Sequence, residues 1–186
     1  MEIHVLRHTR IAAEGICYGQ LDLPPAASFA EEALALASQL DNDYSVVYSS
    51  PLTRCMMLAH QLGYENVQTD KRLLELNFGE WEGKPWTEIN QYELQRWMND
   101  YVQIEPKGGE NLNEMYSRVK SFLDELSVQD KGKALVITHA GVIRCCWAYL
   151  LHVPLQHIFK IPVGYNEVFA FRLQSDSCWN SILRKQ

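Results

Sequence analysis

The sequence predicts an α/β fold, a mostly parallel sheet flanked by helices in three layers. Three observations carry that expectation. Short aliphatic and β-branched runs (Ile3 to Leu6, Tyr44 to Tyr48, Ala134 to Thr138) each stop at a polar or charged residue, as buried strands do. Segments of helical composition stand between them, so successive strands are expected to be joined by crossovers and to lie parallel. At 186 residues the chain is within the range of one domain, residues 1–186, and long enough to bury a sizeable core.

Taken in order, Ile3 to Leu6 ends at Arg7, and a loop follows. Ser28 with Glu31 has the spacing of a capping box and opens an Ala/Leu-rich helix over Phe29 to Leu40. The strand Tyr44 to Tyr48 leads into Ser50-Pro51, an N-cap and a first-turn proline for a helix from Leu52 to Leu62, stopped by Gly63. Val67 to Thr69 is a short third strand. Lys71 to Gly83 lacks periodicity and is rich in Glu, Gly and aromatics, which marks a functional loop. Helices are expected over Thr87 to Tyr101 and Asn111 to Leu126, divided by Pro106-Lys-Gly-Gly109. The strand Ala134 to Thr138 precedes a helix from Gly141 to Leu151. Glu167 to Leu173 and Trp179 to Leu183 close the chain as strands, paired as a hairpin.

Composition removes several classes of function. Apolar residues are 47% and charged residues 22% of the chain, and the net charge is −6, so no global field gathers nucleic acid or an anionic membrane. No apolar run approaches the roughly 20 residues of a membrane helix, and the N-terminal apolar run is too short for a signal peptide. The five cysteines include the adjacent pair Cys145 and Cys146 and show no metal-ligand spacing. Reduced thiols in a cytoplasmic protein fit that pattern.

The chemistry-bearing residues lie just past the strands: Arg7-His8-Thr9, then Ser49-Ser50 leading to Arg54, then Glu75 in the irregular loop, then His139-Ala-Gly141. In open α/β sheets the ligand crevice lies outside the carboxyl ends of the strands, so these segments are expected to converge. Arg54, in the first turn of its helix, opposes the macrodipole, a conflict that a bound anion would relieve. Arginine also matches phosphate oxygens with a planar fork of donors. A neutral imidazole attacks phosphorus, cationic neighbours keep it neutral, and a carboxyl group can protonate the departing oxygen. The scheme calls for no metal and no other cofactor. From spacing alone, Glu75, Glu80 and Glu82 are equal candidates for that carboxyl.

Four segments in order, Leu6-Arg-His-Thr9, Ser49-Ser-Pro-Leu-Thr-Arg54, Leu74-Glu-Leu-Asn-Phe-Gly-Glu-Trp-Glu-Gly83 and Thr138-His-Ala-Gly-Val-Ile-Arg144, resemble the histidine phosphatase superfamily, also called phosphoglycerate mutase-like. The resemblance implies a phosphoglycerate mutase-like fold and a small phosphomonoester as substrate. It implies that His8 is the phosphorylated nucleophile, that Arg7, Arg54 and His139 form the phosphate pocket, and that Glu75 is the proton donor. Two positions depart from the family's usual pattern, Thr9 where Gly is common and Glu14 where Asn is frequent. Gly15-Ile-Cys-Tyr-Gly19 and Asp22-Leu-Pro24 resemble a subgroup, the alpha-ribazole phosphatases of cobalamin biosynthesis. That likeness implies substrate contacts from Thr9, Tyr18 and Gly19, with the apolar base against Tyr18 or Trp81.

The remaining conspicuous residues have plainer readings. Arg144 is expected to be structural, the other histidines ordinary core or surface residues, and Trp81, Trp86, Trp97 and Trp147 packing residues, with Trp81 in reach of the pocket. A phosphoglycerate mutase shares the constellation, but between Glu75 and His139 no basic insertion of the mutase kind is evident. A non-catalytic phosphate-binding protein is the other alternative, disfavoured because both histidines and both arginines are present.

Overall fold

The computed structural model describes residues 1–129 and 132–183. Its strands are β1 (Glu2–Arg7), β2 (Val46–Ser49), β3 (Val67–Thr69), β4 (Lys133–Thr138), β5 (Val168–Arg172) and β6 (Ser181–Ile182). Its α-helices are α1 (Phe29–Ala37), α2 (Thr53–Gln61), α3 (Gln91–Asn99), α4 (Leu112–Ser127) and α5 (Ala140–Leu151). The six strands form one sheet in the order β3-β2-β4-β1-β5-β6. β3, β2, β4 and β1 run parallel, and β5 and β6 join antiparallel at one side.

Period-two alternation along the central strands divides the core between the two faces. Ile3 and Val5 of β1 with Ala134 and Val136 of β4 pack with Val119, Phe122 and Leu123 of α4 and Val142, Ile143 and Cys146 of α5. Leu6, Leu135 and Ile137 point the other way, onto Ala33 and Leu36 of α1 and Leu58 and Ala59 of α2. The expected three layers are therefore present. No helix among the described residues is long and apolar enough to cross a membrane.

Three helix boundaries differ from the sequence expectation. Ser28 does not cap backbone: its hydroxyl donates to Glu32 Oε1 at 2.6 Å, and α1 stops at Ala37 rather than Leu40. Ser50 and Pro51 lie ahead of α2, which starts at Thr53 with Leu52 as its N-cap residue. The free Thr53 N–H donates instead to the carboxylate of Asp22, at 3.0 and 3.1 Å, and the Thr53 hydroxyl bonds the same group. A cap borrowed from a loop over thirty residues away leaves no local spacing to detect. The expected helix Thr87 to Tyr101 is shorter, because Asn90 accepts from the N–H groups of Tyr92 and Glu93 and so fixes the start at Gln91. α4 carries a complete capping box, Asn111 with Glu114.

Candidate active site

β4 lies between β1 and β2, so the residues just past these three strands are neighbours. The register pairs Arg7 with Thr138. One residue on, the His8 N–H donates to Thr138 O at 2.9 Å, and the Ser50 N–H to Ile137 O at 2.9 Å. His8 and His139 thus meet edge-on, their ring centroids 5.1 Å apart.

His8 is 2% exposed. Its Nδ1 lies 2.7 Å from Thr9 O. A carbonyl only accepts, so Nδ1 carries the hydrogen and Nε2 keeps its lone pair. Burial, then Arg54 and Arg7, pull the imidazole down to about 3, against a smaller opposing effect of the Thr9 hydrogen bond, so the ring is neutral near pH 7. His139 is fully buried and is also held well below its ordinary value, by burial and then by His8 and Arg54. Its Nδ1 accepts from the Arg54 guanidinium at 3.3 Å, and its Nε2 donates to the Ser50 hydroxyl at 2.8 Å.

Arg54, in the first turn of α2, has no solvent exposure, and its donors face carbonyl oxygens, Leu21 O at 2.8 Å and Gly19 O at 2.5 Å. A Cβ on Gly19 would lie 1.8 Å from Leu76 O, so only glycine allows this approach. Arg7 donates to the Tyr165 hydroxyl at 2.8 Å and lies over its ring at 3.8 Å. The buried side-chain atoms without a hydrogen-bond partner include Arg7 Nε, Thr9 Oγ1 and Arg54 Nε. Such atoms are costly to leave unsatisfied, and here they gather on the residues around His8.

The structure separates the three glutamates that spacing left equal. Glu80 points outward to Lys107 at 2.8 Å. Glu82 accepts from the N–H groups of Gln20 at 2.9 Å and Phe78 at 3.0 Å, and from Leu21, tying the segment after Tyr18 to the irregular loop. Glu75 alone of the three lines the cavity beside His8. Its carboxylate accepts from the Leu76 N–H at 3.0 Å and from the Gly141 N–H, in the first turn of α5, at 3.1 Å.

That cavity holds about 300 Å3. Arg7, His8 and Glu75 stand at one part of its wall, and Ile16, Tyr18, Phe78, Trp86, Leu112 and Phe159 supply apolar surface. Arg54, His139, Thr9 and Gly19 do not line it; they stand behind His8 and Tyr18. Trp81 is not at the cavity either: it is 4% exposed and packs edge-on against Trp97 at 5.9 Å, because Trp86, three residues beyond Gly83, takes the wall position. Arg144 was expected to be structural, and it does donate to Ile161 O at 3.0 Å, yet it also lines the cavity. Glu14 is exposed and does not line the cavity.

The profile of the histidine phosphatase superfamily, branch 1, matches residues 3–183. The chain belongs to the histidine phosphatase superfamily. The enzymes of this superfamily are phosphatases, acting on small phosphorylated substrates. Phosphoserine phosphatase 1 of Hydrogenobacter thermophilus is 30% identical over 150 residues, covering 76% of this chain and 71% of that one. Glucosyl-3-phosphoglycerate phosphatase of Mycolicibacterium vanbaalenii is 29% identical over 170 residues, 82% of this chain and 75% of that one. Among solved structures, the alpha-ribazole phosphatase from Shigella flexneri has the same fold, with a TM-score of 0.89 at 24% identity over 100% of this chain and 96% of that one.

For this superfamily member, the sequence reading missed the apolar wall residues Ile16, Phe78, Leu112 and Phe159 and two polar residues that brace the site from outside the cavity. Tyr165 sits in the loop before β5 and reaches Arg7 across the sheet edge, and its only sequence signal is an aromatic beside Gly164. Arg118 sits on α4, where an arginine in an amphipathic helix looks like an ordinary surface residue. Away from the cavity, at the opposite end of β1, Glu2, His4 and Asp41 form the one trio of metal-ligand type among the described residues. Its carboxylates already face the Lys133 ammonium, which bonds Asp41 and lies 3.8 Å from Glu2.

Proposed function

We propose that this protein hydrolyses a phosphomonoester in two steps through a phosphohistidine on Nε2 of His8, and that alpha-ribazole 5'-phosphate is its substrate. One observation carries the chemistry: a neutral imidazole, its Nε2 lone pair fixed by the Nδ1–H to Thr9 O, opens on the same cavity as Arg7 and the Glu75 carboxyl. In the first step Nε2 attacks phosphorus, the P–O bond to the alcohol breaks, and the Glu75 carboxylic acid gives its proton to the departing oxygen. In the second step Glu75, now a carboxylate, takes a proton from water as that water attacks the phosphohistidine, releasing phosphate and restoring neutral His8. Arg7 pairs with the phosphate oxygens. Arg54 supplies positive potential next to His8, and the neutral His139 ring packs edge-on against the nucleophile, neither transferring a proton.

The apolar wall favours an ester with a bulky ring. Burying about 100 Å2 of such a ring against Tyr18, Phe78 and Trp86 would contribute about 2.5 kcal/mol, which a triose phosphate cannot gain. The likeness to the Shigella flexneri structure supports the same substrate. A cytoplasmic setting accords with five free cysteines, four of them buried. A second reading, a carboxylate-bearing ester such as phosphoserine, is favoured by Arg144, a guanidinium on the cavity wall that forms no ion pair with a described carboxylate.

The test has two parts. Rapid acid quenching of the wild type with labelled substrate should trap phosphohistidine, and His8→Ala should lose both label and turnover; label on another residue type would refute the mechanism. In a substrate panel, alpha-ribazole 5'-phosphate should show the highest kcat/KM, and Tyr18→Ala should narrow its lead. Phosphoserine or 3-phosphoglycerate ranking first, or phosphoryl exchange of the mutase kind, would refute the substrate while leaving the phosphohistidine intact.

A further inference from the structure

The segment that carries Glu75 belongs to no strand or α-helix, so its carbonyls have no ladder partners. Thr138 Oγ1 takes Leu73 O and Gln20 Nε2 reaches Glu75 O, at 2.8 and 3.1 Å, but three of the carbonyls are met by one side chain from α4. Arg118 donates from one terminal nitrogen to Arg72 O and Leu74 O, both at 2.7 Å, and from the other to Glu75 O at 3.0 Å. The rest of the guanidinium grips Glu110, Nε to Oε2 at 3.0 Å and a terminal nitrogen to Oε1 at 2.6 Å. The planar fork has five N–H groups, and five acceptors meet them. Glu110 in turn accepts from the Asn77 N–H at 3.0 Å, so the pair clasps the backbone on both sides of Glu75. Arg118 and Glu110 are 19% and 16% exposed, and neither lines the cavity.

We infer that Arg118 is a positioning residue for Glu75, setting the backbone from which that carboxyl reaches the departing oxygen. The inference rests on Glu75 being the proton donor. The seat of that carboxylate is narrow, because it depends on the Leu76 N–H and on a Gly141 N–H carried by a different element. A shift of the 72–77 backbone by a fraction of an ångström breaks the second of these while leaving His8 and Arg7, which hang from β1, untouched. The effect is therefore specific to the step that needs a proton. No lysine can substitute, since an ammonium has three donors and no plane, although it keeps the charge opposite Glu110.

The experiment compares Arg118→Lys with wild type in the full chain, using kcat/KM on a primary alkyl phosphate and on p-nitrophenyl phosphate, whose leaving group needs little protonation. Both backgrounds, wild type and Glu75→Gln, are measured, and urea unfolding checks the fold. A loss of roughly 10- to 100-fold on the alkyl ester and under about threefold on the aryl ester is expected, with no further alkyl-selective loss in Glu75→Gln. Equal losses on both esters, or a selective loss that persists without Glu75, would overturn the inference and leave the acid role of Glu75 standing. If Glu75→Gln alone discriminates between the esters no better than wild type, the acid role fails, and the inference with it. Should Arg118→Lys lack a cooperative unfolding transition, Glu110→Gln is judged by the same criteria, because it loosens the guanidinium without removing it.

Discussion

Acidification from pH 7.5 to pH 5.5 should cost the fold about 3 kcal/mol through two buried rings. In the unfolded chain an imidazole titrates near 6.5, so at pH 5.5 it is about ten to one protonated, whereas folded His8 is held at about 3 and stays neutral. Proton uptake by the unfolded state alone is then worth about 1.4 kcal/mol per ring, and His139, also held well below its ordinary value, adds a second share. The sign follows from the unfolded state binding more protons: stability is complete above the unfolded value and is lost as pH falls from about 6.5 toward about 3. Glu32 and Asp70, whose carboxyls are held below their ordinary values by hydrogen bonds and pairing, lose stability only further into acid, so pH 5.5 isolates the histidines. Urea unfolding in phosphate-free buffer reads the difference, and His8→Gln should reduce it by about half, to roughly 1.4 kcal/mol. An equal pH loss in wild type and His8→Gln, or almost none in wild type, would refute the claim that burial and the two arginines hold His8 neutral.

Two further substitutions probe the seats of Glu75 and α2. In Gly141→Ala the new Cβ would lie 2.2 Å from Glu75 Oε1 and 2.9 Å from Met115 Cε, so the carboxylate must leave its N–H donors. A loss of at least about tenfold on alkyl phosphates with cooperative unfolding retained is expected, and wild-type turnover would show the seat to be dispensable. Asp22→Ala removes the acceptor at the start of α2 and should cost about 1 kcal/mol in urea unfolding; an unchanged midpoint would mean that water serves the Thr53 N–H equally well.

The strands and the residues beyond them were legible because both signals are local. A buried run such as Ile3 to Leu6 ends where a charge appears, and the residue past that end faces the crevice whatever the rest of the chain does. The grouping of His8, Arg54, Glu75 and His139 followed from those ends and from the order of the motifs. Choosing Glu75 over Glu80 and Glu82 by physical argument needed three dimensions, since each carboxylate answers to a partner remote in sequence: Gly141, Lys107 and Gln20 respectively. The start of α2 was misplaced for the same reason, its cap being Asp22 rather than Ser50. Trp81 and Trp86 differ in position by five residues but sit on opposite sides of the Gly83 turn, where periodicity offers no guide to orientation. Arg144 fell between the two readings because one guanidinium both braces Ile161 and faces the cavity.

The position of β1 in the sheet carries a consequence for biosynthesis. Both of its neighbours, β4 and β5, come from the final third of the chain. Ile3, Val5 and Leu6, all fully buried in the finished protein, therefore have no strand to pair with while residues 8 to 132 are being made. At about 5–20 residues per second that interval lasts on the order of ten seconds, during which an apolar strand with two bare edges protrudes from the ribosome. His8 is translated well before the neighbour that completes its surroundings, His139, which arrives with β4. A nascent or truncated chain ending before β4 thus already holds His8, Arg54 and Glu75, yet has no means of bringing them together, and it offers chaperones an unpaired apolar strand instead.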